Sequence, residues 1–493
     1  MSNLDHQIII IGSGISGIGT ALELKKQGYQ DFILLEKEDE LGGTWRDNNY
    51  PGVEVDITSF SYSFSFEPNP KWSKVFAPGH EIFAYVKHCA DKYQVRQHVR
   101  FNRAVEKAVF DYHKKCWRLV LNNGEQLSCK YLVSATGILN QPIIPDFKGD
   151  HEFKGIKVHT GRWPEGLDLA GKKVAVIGTG ASAIQVIPEV AKIVDQLTVF
   201  QRTAIWVSPK YDLKISEKLR DRFERFPLLQ KAARWASEAL IEMGTFAIVH
   251  YQRLPFMAKW VETQNIKYLK TQVKDPALRE KLTPKYGYGC KRPAISNKYL
   301  RTYNRDNVNL SACGISHFTE KGIVSNDGIE HEADVIIYGT GFKTLELGNS
   351  PSYEVIGEEG KELGRFWDEE SYQAYNGITV PGFPNFFLTF GPYSGGFNWF
   401  AMLETNLVHM MRCINKVEQQ GKQMIEVKQP AHQAYQQYIR QRSAKTVFTD
   451  SACVAANSYY LDKHGNASLP SPITPFKRWL RLKFKSLNAY KVS

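Results

Sequence analysis

One local pattern occurs twice in this chain, and it restricts the possible folds more than any other feature. An apolar strand runs into a glycine-rich turn, a helix follows, and a second strand closes the unit. In the first copy, four β-branched residues at 8–11 precede GSGISG, whose glycines are Gly12, Gly14 and Gly17. A helical stretch then reaches about Gln27, and the run Phe32 to Leu35 forms a strand that stops at Glu36. In the second copy, VAVIG leads into GTGASA, with Gly178, Gly180 and Ala183, then a helix through Lys192 and the strand LTVF. Each copy predicts a parallel βαβ unit with its glycines in the first turn. Glycine lets the backbone turn tightly and approach a pyrophosphate, and the helix N-terminus offers free N–H groups to it. The expected dinucleotide contacts are Gly12, Gly14, Ser16 and Gly17 in the first turn. In the second they are Gly178, Thr179, Gly180, Ala181, Ser182 and Gln185.

The two copies end differently. Glu36 stands 24 residues after Gly12, and Arg202 stands 24 after Gly178. A carboxylate at that place accepts hydrogen bonds from a ribose 2′-OH, whereas a cation pairs with a 2′-phosphate. The second unit is therefore expected to take NADPH rather than NADH, with Arg202 and Thr203 at the phosphate. Two small-residue turns, SATG (134–137) and YGTG (338–341), each close an apolar strand and support duplication of the nucleotide fold. The expected class is α/β with two Rossmann-like domains, the second inserted in a discontinuous first. The first would span 1–140 and 376–493, the second 141–210 and 284–375, with a polar helical cap at 211–283. FKGIKVHTGRWP (153–164) and the stretch near Lys343 to Gly360 would be the linkers.

A chain of 493 residues suggests about three domains. With 43% hydrophobic and 12% aromatic residues it has ample apolar surface to bury. Its seven cysteines are dispersed, with no C-x-x-C and no ligand-like pairing with histidine, so no metal site is expected. The same dispersion fits a reducing, cytoplasmic setting, argues against a disulfide framework, and disfavours a flavin disulfide reductase, which needs neighbouring thiols. The N-terminus has no signal-peptide pattern, and no stretch approaches the ~18 apolar residues of a membrane span.

The net charge of +12 is concentrated at one end: residues 470–493 carry six basic side chains and no acid. On a helical projection Phe476, Trp479, Leu480, Phe484 and Leu487 share one face, while Lys477, Arg478, Arg481 and Lys485 share the other. Two readings fit: a terminal helix docked on the protein, or a basic amphipathic helix in peripheral contact with an anionic membrane. No motif for reading nucleic acid accompanies the charge.

Three further runs carry a family resemblance. Phe153 to Pro164 reads F-x-G-x-x-x-H-x-x-x-W-P and lies between the two glycine turns. GGTWRDNNYPGVEVD follows the first βαβ unit and ends on Asp56, and YGYGCKRP places Lys291 beside Arg292. In their order along the chain these motifs resemble the flavoprotein monooxygenases of the Baeyer–Villiger type over about residues 5 to 450. The resemblance implies FAD on the first unit and NADPH on the second. Thr44, Trp45, Asp47 and Tyr62 become flavin contacts, and Asp56 the acid beside the isoalloxazine. Lys291 becomes a ligand of the NADP phosphate, and Arg292 the cation that keeps a C4a-peroxyflavin anionic.

The implied reaction uses O2 to insert one oxygen beside a ketone or aldehyde carbonyl, giving an ester or lactone, with sulfides as further substrates. An N- or S-oxygenating flavin monooxygenase is the nearest alternative, and a non-oxygenating redox sensor or electron carrier is a second. His159 is expected to fix the linker and Trp163 to anchor it. The run from Tyr393 through Phe397, Trp399 and Phe400 departs from the family's usual small polar residues and is expected to reshape the substrate pocket. A helix is expected from Phe397 to about Glu418.

Overall fold

A computed structural model describes residues 4–456 and 458–493. The first βαβ unit forms as expected: β1 (His6–Ile11), α1 (Ile15–Lys26) and β2 (Phe32–Leu35), with Ile8 level with Phe32 in parallel register. Both faces of these strands are covered, which explains their unbroken apolar runs. A two-residue strand, β3 (Val99–Arg100), extends the sheet beyond β2. Then β4 (Val105–Asp111), β5 (Cys116–Leu121) and β6 (Gln126–Ser134) form an antiparallel meander. The last of them returns parallel to β1, with Ile8 opposite Tyr131.

The chain then builds a second sheet from β7 (Ile156–His159), β8 (Lys173–Ile177), α2 (Ala183–Val190) and β9 (Gln196–Phe200). Four helices follow: α3 (Glu217–Arg225), α4 (Pro227–Val249), α5 (Pro255–Gln272) and α6 (Pro276–Lys281). Pro227, Pro255 and Pro276 sit in the first turns of their helices, where the missing N–H costs nothing. The second sheet is completed by β10 (Val308–Ser311) and β11 (Val335–Tyr338), in the order β10–β9–β8–β11–β7, all parallel.

Two expected boundaries shift. The chain re-enters the first sheet at β12 (Glu354–Ile356), parallel to β4, rather than at 376. A three-residue strand has too short a pattern to be seen in sequence. FKGIKVHTGRWP is only partly a linker, because Ile156 to His159 pairs with β11 as the edge of the second sheet. Then β13 (Phe386–Leu388) pairs with β6, and α7 (Trp399–Gln419) covers α1. α8 (Pro475–Phe484) packs against α7 and touches α4.

The larger sheet has hydrophobic cores on both faces, and the smaller sheet has its own. One further expectation is corrected: Cys290 and Cys453, 163 residues apart, form a disulfide, and the other five cysteines are free. Spacing cannot show that pairing, because it depends on the tertiary approach of two loops. Among the described residues no helix is long and apolar enough to cross a membrane, and no cluster of metal-ligating side chains occurs.

Candidate active site

The carboxyl ends of β1 and β2 open onto a cavity of about 300 Å³. Its wall includes Gly12, Glu36 and Arg103 as well as Trp45, Tyr62 and Trp399, so any group that touches all of them must be long. The glycines explain why backbone can form this wall. Gly12 has φ +101°, and a side chain there would strike the Ala135 carbonyl at 2.7 Å. Gly14 and Gly43 leave the first turn and the GGTW loop backbone to backbone, and the Gly42 N–H donates to the Ser13 carbonyl at 3.0 Å.

Glu36 is buried and held. Its carboxylate accepts from the Ser13 N–H at 2.9 Å, the Ser13 hydroxyl at 2.7 Å and the Glu38 N–H at 3.2 Å. Ser16 accepts from the indole N–H of Trp399 at 2.9 Å, which ties the start of α7 to the first turn. Thr44 to Asp47 form one helical turn. Asp47 accepts from Arg46 at 2.8 Å and lies 3.6 Å from Arg162 of the GRWP run. Trp45 donates to the Tyr62 hydroxyl at 3.3 Å, and burial pushes that phenol well up from its ordinary value.

Beyond this wall, Arg292 grips Asp56 with two hydrogen bonds, Nε to Oδ2 at 2.7 Å and Nη2 to Oδ1 at 2.8 Å. The fork geometry suits a carboxylate and fixes the plane of the guanidinium. Burial opposes charge on both groups, but their mutual attraction outweighs it, holding Asp56 below its ordinary range and Arg292 well above its own. The pair is still partly open, its side chains 23% and 35% exposed. Phe397 lies 5.6 Å from the guanidinium carbon, and Tyr460 and Tyr459 also face the cation. The Cys290–Cys453 bond joins the loop carrying Arg292 to the segment that precedes those tyrosines.

At the second turn Gly178 has φ +110°, and the Thr179 hydroxyl donates to the Thr203 carbonyl at 3.0 Å. Arg202 is exposed. The Lys291 ammonium is pushed down by burial and then by the field of Arg202, so two cations face each other across this site. Among the described residues neither has an acidic partner within ion-pair distance. The Gln185 side chain is also tied within the protein. It accepts from the Tyr50 hydroxyl at 2.8 Å and donates to the Glu54 carbonyl at 2.8 Å, binding α2 to the loop that leads to Asp56. Ala181 and Ser182 stand at the mouth of the turn, exposed and half-buried respectively.

His159 accepts from the Gly161 N–H through Nδ1 and donates through Nε2 to the Gly341 carbonyl at 3.0 Å. Burial pushes its pKa down to about 4, so it is neutral and structural. Trp163 packs against the core of the smaller sheet. Of the aromatic run, Tyr393 and Phe400 are core residues, 2% and 0% exposed. Only Trp399 reaches the cavity and Phe397 the cation. The contact of Trp399 with Ser16 spans 383 positions, and nothing in local sequence indicates it.

A curated protein of Pseudomonas aeruginosa named Baeyer–Villiger monooxygenase is 38% identical over 457 residues, 92% of this chain and 85% of its own. The chain belongs to the Baeyer–Villiger monooxygenase family. A second member, from Streptomyces coelicolor, is 37% identical over 96% of this chain and 91% of its own. Residues 9–238 match the family described as pyridine nucleotide-disulphide oxidoreductase. Among solved structures, the cyclohexanone monooxygenase of Rhodococcus sp. Phi1 bound to NADP+ superposes with a TM-score of 0.88 at 27% identity, covering all of both chains. The enzyme named OTEMO, in complex with FAD and NADP, gives 0.87 at 28%, again over both whole chains.

Proposed function

We propose that this chain is an FAD- and NADPH-dependent monooxygenase that inserts one oxygen atom from O2 beside a ketone or aldehyde carbonyl, yielding an ester or lactone. One observation carries the reading. Lys291 and Arg292 are neighbours in sequence, yet one stands beside Arg202 of the second nucleotide unit and the other grips Asp56, next to the cavity of the first. The larger sheet, with Gly12, Gly14, Ser16, Gly17, Glu36, Thr44, Trp45, Asp47 and Tyr62, is assigned to FAD. The smaller sheet, with Gly178, Thr179, Gly180, Arg202, Thr203 and Lys291, is assigned to NADPH.

Bound flavin, once reduced by NADPH, supplies the oxygen activation. The protein's part is electrostatic: a permanent cation stabilises negative charge on the oxygen that attacks the carbonyl. Arginine suits this because it keeps its proton even when buried. Asp56 sets the direction of the guanidinium and tempers its field. Sulfides are included as substrates because the activated oxygen, once protonated, is an electrophile that a soft nucleophile attacks.

A cytoplasmic setting is part of the proposal and rests on the five free thiols. There Cys290 and Cys453 would stand as a dithiol. Peripheral membrane contact through 470–493 is also proposed, on its six cations and absent acids.

The test is product mass from linear, cyclic and aryl ketones and sulfides with NADPH and O2. One oxygen gained next to the carbonyl is expected. Stoichiometric hydrogen peroxide with every substrate would leave a non-oxygenating flavoprotein, and oxidation of sulfides and amines alone would favour the N- or S-oxygenating alternative. Arg292→Ala should lower ester formation about 10²- to 10³-fold, the scale for one lost donor at a developing oxyanion. A wild-type rate in that variant would remove Arg292 from the chemistry.

A further inference from the structure

The C-terminal helix is docked with its polar side inward. Arg478 is buried and donates to the Asn376 carbonyl at 2.8 Å and the Asn406 side-chain oxygen at 2.6 Å. The Arg481 guanidinium carbon lies 5.1 Å from the ring centres of Tyr435 and Tyr438, and Leu482 is buried. The apolar residues at one-turn spacing, Phe476, Leu480 and Phe484, are left 61%, 38% and 66% exposed. An amphipathic helix that only needed the protein as its partner would dock the other way round.

This face is continuous with a second one. The Phe476 N–H donates to Glu242 of α4 at 3.0 Å, bringing the two helices together. On α4, Leu228, Ala232, Trp235, Ala239, Met243 and Phe246 recur every three or four residues, and all are exposed. Phe256 and Trp260 of the adjoining α5 are each 65% exposed. Single exposed apolar side chains are ordinary, but a run of them across three neighbouring helices marks an interaction surface.

We infer that α4, α5 and α8 together form a docking surface for an anionic lipid bilayer. The inference deepens the membrane contact proposed for 470–493 and rests on it. The charges decide the occupant. Lys477 and Lys483 on α8 and Lys485 just after it are exposed, and among the described residues none has an acidic partner within ion-pair distance. Lys483 lies 4.5 Å from the Trp479 ring, a cation and an aromatic ring paired at one edge.

The acids on α4 are engaged: Glu238 pairs with Arg234 at 2.8 Å, and Glu242 receives the Phe476 N–H. Anionic headgroups would meet such unpaired lysines, with the aromatic and aliphatic side chains beneath them in the acyl boundary. A second copy, joined through the same face, would instead set unpaired lysines against each other.

The inner sides of these helices reach the candidate site. Ser237 of α4 hydrogen-bonds to Ser61 at 2.8 Å, five residues after Asp56. Ile248 and Ile266 pack on the core that contains Cys290. The surface that would meet lipid is therefore the outer side of the helices that brace both Asp56 and Arg292.

The experiment uses the full-length, FAD-loaded protein and phosphatidylcholine vesicles with and without phosphatidylglycerol. Co-sedimentation with the phosphatidylglycerol vesicles, weakened by salt, is expected. The combined variant Trp235→Ser, Met243→Gln, Phe246→Ser should bind them at least about ten-fold more weakly. It should keep its FAD and its turnover of a water-soluble ketone. If that variant binds as well as wild type while Lys477→Glu, Lys483→Glu, Lys485→Glu does not, the composite surface is wrong and only the tail contact stands. If wild type binds neither vesicle, both fall. A dimer that the α4 variant dissociates, together with no vesicle binding, would make the face a self-interface and overturn the inference.

Discussion

The two nucleotide units share a chain plan and differ in how far each is committed before anything binds. In the first, the residue that closes the second strand is a buried carboxylate held by Ser13 and the Glu38 N–H. In the second, it is an exposed arginine facing a partly buried lysine. The small residues at matching positions of the two units are also exchanged. The second unit has a methyl on Ala183 and none on Gly339, where a side chain would meet the Ala183 methyl at 2.8 Å. The first unit has the methyl on Ala135 and none on Gly17, where a side chain would lie 1.9 Å from the Gly12 carbonyl. One unit is closed and pre-organised for a resident group, and the other is open at its rim, as suits a coenzyme that enters and leaves.

The sharpest way to break this contrast is to add one methyl to each turn. Gly17→Ala would drive a carbon into the backbone of its own turn, with no flexible side chain to yield. A loss of about 3 kcal/mol or more is expected, with FAD lost from the purified protein. Gly180→Ala meets nothing nearer than 3.9 Å, and its thermal stability should stay within about 0.5 kcal/mol of wild type. Equal loss in both variants, read by thermal unfolding and flavin absorbance, would mean that Gly180 is enclosed as tightly as Gly17.

A second test concerns how the open unit is held at its edge. Neutral His159 bridges the edge strand β7 and the Gly341 turn. Its pKa lies near 4 when folded, against 6.5 when free, so protons favour the unfolded chain. Stability is complete above pH 6.5 and is lost progressively as the pH falls toward 4. Linkage puts the loss at about 2 kcal/mol at pH 5. His159→Gln can keep an acceptor and a donor but cannot titrate. Unfolding free energies from urea titrations at pH 7 and pH 5 should therefore differ less in the variant, by roughly that amount. An unchanged difference would assign the acid sensitivity to other groups, such as His409 and His432, which burial also pushes down, to about 3 and 4.

Features governed by local rules could be read from sequence. The glycine turns and the places of Glu36 and Arg202 follow from what a βαβ unit requires at fixed positions, and motifs pointed to Asp56 and Arg292, which the fold brings together. Features that depend on which way a surface faces were hidden. Periodicity showed the apolar stripe on α8 but not that Arg478 would turn inward and Phe476 outward. Gln185 is among the dinucleotide contacts expected after the second turn, but its bonds to Tyr50 and Glu54, in a loop 131 to 135 residues away, were not legible. The disulfide, the contact of Trp399 with Ser16 and the early return at β12 are likewise products of long-range approach.

The smallest expected effect bears most directly on the open unit. If Arg202 and Lys291 read a 2′-phosphate, each supplies one charge-assisted contact that NADH cannot use. Removing one, as Arg202→Ala, should raise KM for NADPH about ten-fold, or about 1.4 kcal/mol, and leave KM for NADH as it was. Lys291→Ala should do the same at neutral pH, although burial pushes its ammonium down. An anionic phosphate restores the charged form, so coenzyme binding should draw a proton onto Lys291 as the pH rises. KM for NADPH should then climb with pH in Arg202→Ala, where Lys291 is the remaining cation, and stay flatter in Lys291→Ala, where the cation left is an arginine that does not titrate. Parallel shifts for both coenzymes would mean that the two cations shape the turn without reading the phosphate.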